Sequence, residues 1–433
     1  MEKQFVIGAA RRVITPPLGT PLCGYPYERA ATSVNDDLKA NVIALGYGEA
    51  TALWISLDVI SVDNVLRDDI CALAEQHLGI GKDHIIVCAI HTHSGPAVSA
   101  IWGGRNEAYV QEILLPMTLE AMKEAVTRTQ PAVMGVATTT SQAGINRREF
   151  TKDGNVILGQ NPFGMYDPEM TVLAFQSLDG KPLLNVVHYG AHATAAGEGP
   201  VITRDWPGFM VDSMEKNTSA MTVFMNGAEG DVGPRCSNGK TTGGKPDGDI
   251  MMACEVGSVA VIDAMQAYRH IKAYKPVDFR VAAENVKLPR RPLPPLAELI
   301  RERDSMGDPA GLIETNAARY AYLQRQIEMV QSGASQEDVV TLRQVFFALN
   351  DVAVAPFPFE MFSEITLRLK QHSPCPYTLA LSNANGKEGY LPSQDQLCRG
   401  GYEVEMFLTL DTRLAENTDT NIVSEYLRVL EKL

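Results

Sequence analysis

Ala52-Leu-Trp-Ile-Ser-Leu-Asp-Val-Ile60, then Asp63 to Leu78, then His84-Ile-Ile-Val-Cys-Ala-Ile90 running into His91-Thr-His-Ser-Gly-Pro96, decide how this chain reads. The two apolar, β-branched runs have the length of buried strands. Between them Leu66, Ile70, Leu73 and His77 recur at helical spacing, and Gly79 supplies a natural stop. Strand, helix, strand predicts a parallel pair with a helix on its face. Working outward, Glu107 to Thr127 carries Val110, Ile113, Leu114, Met117 and Val126 on one helical face, and Pro116 is expected to bend it. Met170 to Gln176 and Pro182 to Tyr189 flank Ser177-Leu-Asp-Gly180, a hairpin signal. Met221 to Met225 is a further strand entering the glycine-rich Asn226 to Pro234. The expected fold is α/β, a mixed β-sheet core with flanking helices.

Beyond Val286 the pattern changes. Pro289 to Pro295 is rich in proline and arginine, and Glu298 to Gln331 and Gln336 to Leu349 are charged, helix-forming stretches. They predict an inserted helical layer at 289–350 within a single domain spanning 1–433. Asp351 to Ala355 (strand), Phe359 to Lys370 (helix), Tyr377 to Leu381 (strand) and Asn421 to Leu433 (helix) return to the earlier pattern.

The 433 residues are 45% hydrophobic and 21% charged, with a formal net charge of −14, which excludes a disordered chain. That charge, without a basic run, disfavours nucleic acid and anionic lipid surfaces as partners. Seven cysteines, none in a Cys-x-x-Cys pair, predict reduced thiols rather than a disulfide framework or a cysteine zinc knuckle. With no signal-like N-terminus and no apolar run of about 18 residues, the expectation is a soluble cytoplasmic protein without stable membrane association. Its expected partner is a small-molecule substrate.

Of eight histidines, four fall just after strands in two compact segments, His91-x-His93 and His188-x-x-x-His192. Open α/β sheets bind ligands beyond the carboxyl ends of their strands. Neutral imidazole is a common zinc ligand, and two histidines need an oxygen donor beside them. Asp58, Asp205, Glu229, Asp231 and Glu360 are candidates by position, and spacing does not choose among them.

These residues resemble a known family. His91-Thr-His-Ser-Gly-Pro96 is similar to the metal-binding signature of the neutral/alkaline (non-lysosomal) ceramidases. The resemblance continues in Ile14-Thr-Pro-Pro-Leu-Gly19, Ile145-Asn-Arg147, Asp167 to Thr171 leading to Ala191-His-Ala-Thr194, Asn226 to Pro234, and Pro358-Phe-Glu360. It ends with Gly389-Tyr390 and Tyr402-Glu403, so that it is collinear from about residue 5 to residue 405. It implies a ceramidase-like catalytic domain with Zn2+ held by His91, His192, Glu360 and Tyr390. His93, Arg147 and Tyr402 would surround the scissile carbonyl, donating to the oxyanion or fixing the substrate.

Two departures matter. The family loop reads Gly-Asp-Val-Ser-Pro with a catalytic serine, whereas this chain reads Gly230-Asp-Val-Gly-Pro234. Without that hydroxyl the implied nucleophile is a metal-activated water, with Asp231 or Glu229 as a candidate general base and a structural, loop-orienting role for Asp231 as the equal alternative. The family's C-terminal immunoglobulin-like domain has no counterpart, which, with the acidic balance, turns the expectation from ceramide towards a small polar amide or ester. The alternatives are a carbohydrate- or lactone-directed metalloenzyme, marked by a polar bowl near Trp102, Arg105 and Trp206, and a non-catalytic metal-containing binding protein.

Overall fold

The structure, a computed structural model, describes residues 4–99, 104–245, 248–312, 314–334 and 337–433. Its main sheet is built from β1 (Phe5–Val13), β2 (Lys39–Tyr47), β3 (Ala50–Leu57), β4 (Ile85–Ala89), β5 (Gln130–Thr140), β6 (Glu169–Ser177), β7 (Pro182–Tyr189) and β8 (Met221–Asn226). They lie in the order β8-β7-β6-β5-β1-β2-β3-β4, with Lys275–Pro276 also paired to β5. Neighbours are antiparallel except β3/β4 and β7/β8, the outermost pairs. Each parallel pair is joined by a crossover helix, α1 (Asn64–Leu78) and α3 (Asp205–Thr218); α2 (Leu115–Thr127) lies between them in the chain. α1 starts at Asp63, whose carboxylate accepts from the Leu66 N–H, and stops at Gly79 in the left-handed region.

The sheet curls until its outer strands meet. Ser56 donates to the Phe224 carbonyl at 2.8 Å, Asn226 donates to the Ile90 carbonyl at 3.1 Å, and Cys88 and Met225 sulfurs lie 3.4 Å apart. The carboxyl ends of β4 and β8 are therefore neighbours, although six strands separate them in the sheet order.

A second sheet, β9 (Phe279–Pro289), β10 (Val339–Leu349), β11 (Val352–Pro356) and β12 (Tyr377–Leu381), packs its apolar face on the curled one. Trp54 meets Phe347 edge-on there, ring centroids 6.4 Å apart. The helix expected over 336–349 is here strand β10 from Val339; Gln336 lies outside the described residues. Every residue from Val345 to Leu349 is buried, which one face of a surface helix would not allow. Its whole length pairs with β9, from Phe279↔Leu349 to Pro289↔Val339. The helical insertion reduces to α5 (Leu296–Ser305) and α6 (Glu314–Gln331), with a small core of Leu299, Tyr322, Leu323 and Ile327. Pro116 is the second residue of α2, and a π-helical stretch at Val110–Leu114 runs directly into that helix, so the regular backbone ladder is interrupted beside the proline. The helix expected from Phe359 begins at Ser363, because Glu360–Met361 form a short parallel pair with Tyr390–Leu391.

The helix α4 (Ile250–His270) is by length and composition apolar enough to cross a membrane. Ala253, Val256, Gly257, Ala260, Ala264 and Ala267 bury one face of it on the main sheet. All seven cysteines are free thiols.

Candidate metal centre

Four strand ends converge on one point. His91 follows β4, His192 follows β7, Glu360 follows β11 and Tyr390 follows β12. A β-bridge between Thr92 and Ala193 and the His93 N–H donating to the Ala193 carbonyl tie the two histidine loops together. The Glu360↔Tyr390 pairing does the same for the other two. His91 stands at φ +67°, a conformation costing of order 1–3 kcal/mol that only a fixed surrounding maintains.

Each imidazole is aimed by its Nδ1. His91 Nδ1 lies 2.6 Å from the Ile60 carbonyl, His192 Nδ1 lies 2.7 Å from the Glu229 carbonyl, and His93 Nδ1 lies 2.9 Å from the Gly24 carbonyl. A carbonyl only accepts, so each Nδ1 carries the hydrogen and each neutral ring presents a bare Nε2 lone pair. Those lone pairs meet. His93 and His91 Nε2 are 3.2 Å apart, and the Glu360 Oε2 lies 3.4 Å from His91 Nε2 and 3.3 Å from His192 Nε2. Tyr390 Oη is 3.4 Å from His192 Nε2 and accepts from Arg147 Nη2 at 3.0 Å. Glu360 Oε2 is buried without a hydrogen-bond partner.

Burial and neighbours set the charges. Burial, with the other two imidazoles and Arg147 adding to it, holds His93 well below the usual histidine range, and burial with Arg147 takes His192 to about 3. Burial alone would lower His91, but Glu360 lifts it. Burial would raise Glu360, but His91 and His192 keep it well below the ordinary carboxylate value. Glu229 is pushed up to about 8 by burial, with Glu360 adding to it, and accepts from Asn383 Nδ2 at 2.5 Å.

His91, Glu229 and Glu360 offer ligand atoms within 4.8 Å of one another, as do His91, His93 and His192. Three lone pairs and a carboxylate facing one another in a dry site repel unless a cation lies among them, so the donor set fits a metal ion. Beside it opens a cavity of about 260 Å³ lined by Ile60, His91, His93, Glu360, Lys387, Tyr390, Tyr402 and Met406. The Tyr402 ring stands edge-on to Tyr390, centroids 5.7 Å apart.

Other expected residues lie elsewhere. Asp231 Oδ1 accepts from the Ser363 N–H and hydroxyl at 2.8 and 2.7 Å, and Oδ2 accepts from Asn146 at 3.3 Å. Its carboxylate lines a different cavity, so of the two expected roles the geometry favours the loop-orienting one over the general base. Asp205 accepts from the Ala195 and Ala196 N–H groups, Asp58 from the Lys39 N–H, and His188 Nε2 faces the Ala380 carbonyl. Trp206 is fully buried and donates to the His192 carbonyl, and Arg105 pairs with Asp69 and Glu107, so neither forms a polar bowl; Trp102 lies outside the described residues. The sequence assigned no role to Glu403, which bridges Arg147 Nε at 2.8 Å and Arg148 Nη1 at 2.7 Å. It also assigned none to Asn383 and Lys387.

No protein-family model matches the chain. Neutral ceramidase A of Dictyostelium discoideum is 24% identical over 186 residues, covering 36% of this chain and 26% of that protein, so the chain matches about a quarter of its curated relative's length. The crystal structure of neutral ceramidase from Pseudomonas aeruginosa superposes with a TM-score of 0.74 at 15% identity, over 100% of this chain and 75% of that one. A ceramidase complexed with C2 superposes with a TM-score of 0.73 at 13% identity, over 100% and 76%. The chain has the neutral ceramidase fold.

Proposed function

We propose that this chain, built on the neutral ceramidase fold, is a zinc-dependent hydrolase that cleaves an amide or ester bond of a small polar substrate. One observation carries the reading: the unpartnered Glu360 Oε2 among the bare Nε2 atoms of His91 and His192. His91, His192, Glu360 and Tyr390 would hold the metal. Bound there, zinc would polarise a carbonyl and lower the pKa of water from about 15.7 towards about 7.

The remaining work belongs to the chain's own groups. His93, neutral with Nδ1–H fixed on Gly24, offers Nε2 as a proton acceptor. Water's oxygen bonds the carbonyl carbon as its proton passes to His93 Nε2, which delivers it to the leaving nitrogen or oxygen as that bond breaks. Tyr402, on the cavity wall, supplies an O–H towards the carbonyl oxygen as negative charge develops. Arg147, anchored by Glu403, holds its guanidinium against Tyr390 Oη and donates to it.

The cavity of about 260 Å³ gives a small substrate room beside the metal centre. The net charge of −14 likewise favours a small molecule over an anionic lipid surface. Metal analysis and hydrolysis of N-acyl and ester panels test the proposal. Wild type should carry about one zinc per chain, and His91→Ala and His192→Ala should lose metal and hydrolysis together. Full metal content in both variants, or a loaded wild type inert on every substrate, would refute it.

A further inference from the structure

Lys387 lines the same cavity, and among the described residues no carboxylate forms an ion pair with it; Glu360, the acid nearest it electrostatically, is turned to the histidines of the metal centre. It lines the wall with His91, His93, Glu360 and Tyr390, on the loop from β12 to Tyr390. Gly386 at φ +145° and Gly389 at φ +93° bracket it. A side chain at 386 would strike Asn64 and Pro358, and one at 389 would strike Leu410, so the loop is held against its neighbours. The Glu388 N–H donates to the Pro358 carbonyl, and its carboxylate accepts from Asn64. The lysine's position is therefore built, in contrast to that of a surface lysine.

Its surroundings lack a counter-ion. Among the described residues no carboxylate lies within 4.0 Å of the Lys387 amine, and no hydrogen bond holds it. The acids and thiol nearest it electrostatically are Glu360, Cys23 and Asp63. Glu360 faces two imidazoles, Asp63 caps α1 and the Cys23 thiol is raised by burial and stays neutral. Glu403 is already shared by two arginines. A half-buried ammonium without a paired carboxylate still carries part of its desolvation cost, and a metal ion nearby would add to the positive charge around it. An anion carried in by the substrate removes that cost.

We propose that Lys387 recognises a carboxylate on the substrate, a few atoms from the bond that is cleaved, and so selects acidic N-acyl or O-acyl compounds over neutral ones. This rests on the hydrolase reading above, and the charge-assisted hydrogen bond it needs corresponds to a ten- to hundredfold preference.

The test compares N-acyl amino acids with their matched amino-acid amides on wild type, Lys387→Met and Lys387→Arg, with glutarate binding followed by calorimetry on the metal-loaded protein. Lys387→Met should raise KM for the acids ten- to hundredfold with kcat largely kept, leave the amides unchanged and weaken glutarate equally. Lys387→Arg should retain most of the preference. Equal wild-type use of acids and amides, or an equal loss on both in Lys387→Met, overturns the assignment. If neither substrate is cleaved, the hydrolase reading fails, and glutarate still decides: weaker binding in Lys387→Met upholds the anion site, whereas equal or absent binding overturns it.

Discussion

Restoring a serine at position 233 tests how far this chain has moved from the ceramidase loop. Gly233 pairs with Ile145 in a short antiparallel ladder, so its backbone is fixed. A Cβ built on it would lie 2.4 Å from Thr241 Cβ and 2.5 Å from Thr241 Cγ2. Carbon contacts are most favourable at about 3.5–4.0 Å, so the overlap exceeds about 1 Å. The obstructing atoms cannot rotate away cheaply: Thr241 is buried, its Cβ is fixed to the backbone, and its carbonyl accepts from Thr194 at 2.6 Å. Overpacking of this kind costs about 1–3 kcal/mol, and the closeness of the clash places Gly233→Ser at the upper end. Urea unfolding should show the midpoint fall with m unchanged. Thr241→Gly removes the obstacle, so the double variant should be more stable than the sum of the single effects by at least about 1 kcal/mol. Gly233→Ser alone should not raise hydrolysis of any substrate, because the new side chain is driven into Thr241. Additivity within about 0.5 kcal/mol, or a cost of Gly233→Ser below that figure, would refute the steric argument.

Glu403→Gln should destabilise the fold by about 3–5 kcal/mol, because it leaves the buried Arg147 and Arg148 guanidinium groups without their shared carboxylate. Denaturation at low and high salt should give the same loss, since buried pairs are little screened, and a loss under about 1 kcal/mol would overturn this account. Asp58 is raised to about 6, by burial first, against the opposing pull of Arg204 and the Lys39 N–H. Its folded pKa lies above its unfolded value, so the stability from its protonated form is present at low pH and is lost as pH rises through about 6. Between about pH 5 and pH 7 wild type should lose about 1.4 kcal/mol more than Asp58→Asn, and parallel pH–stability curves for the two proteins would contradict this.

What was legible in the sequence follows from what local pattern can encode. His91 and His192 stood out because each ends a strand whose β-branched run announces itself, and the parallel pairs β3/β4 and β7/β8 put those ends on one side. Glu360 and Tyr390 were reached only through a resemblance; the short pairing that sets them side by side leaves no periodicity. The strand β10 was misread because its first half, Val339-Val-Thr-Leu-Arg-Gln344, mixes polar and apolar residues without strict alternation, as a helix surface also can; only its pairing with β9 distinguishes the two. Asp231 illustrates an ambiguity that sequence leaves open between a general base and a loop-orienting residue. A carboxylate in a glycine-rich loop beside a ligand loop suggests chemistry, yet both oxygens are occupied by Ser363 and Asn146, partners 132 and 85 residues away. The roles of Glu403 and Lys387 were hidden for the same reason in reverse: they depend on which charges surround them after folding. Glu403 is silent because it is fully compensated, and Lys387 matters because it is not. Distances between side chains remote in the chain therefore separate a supporting acid from a recognising base, where residue type and spacing treat both as ordinary charged loop residues.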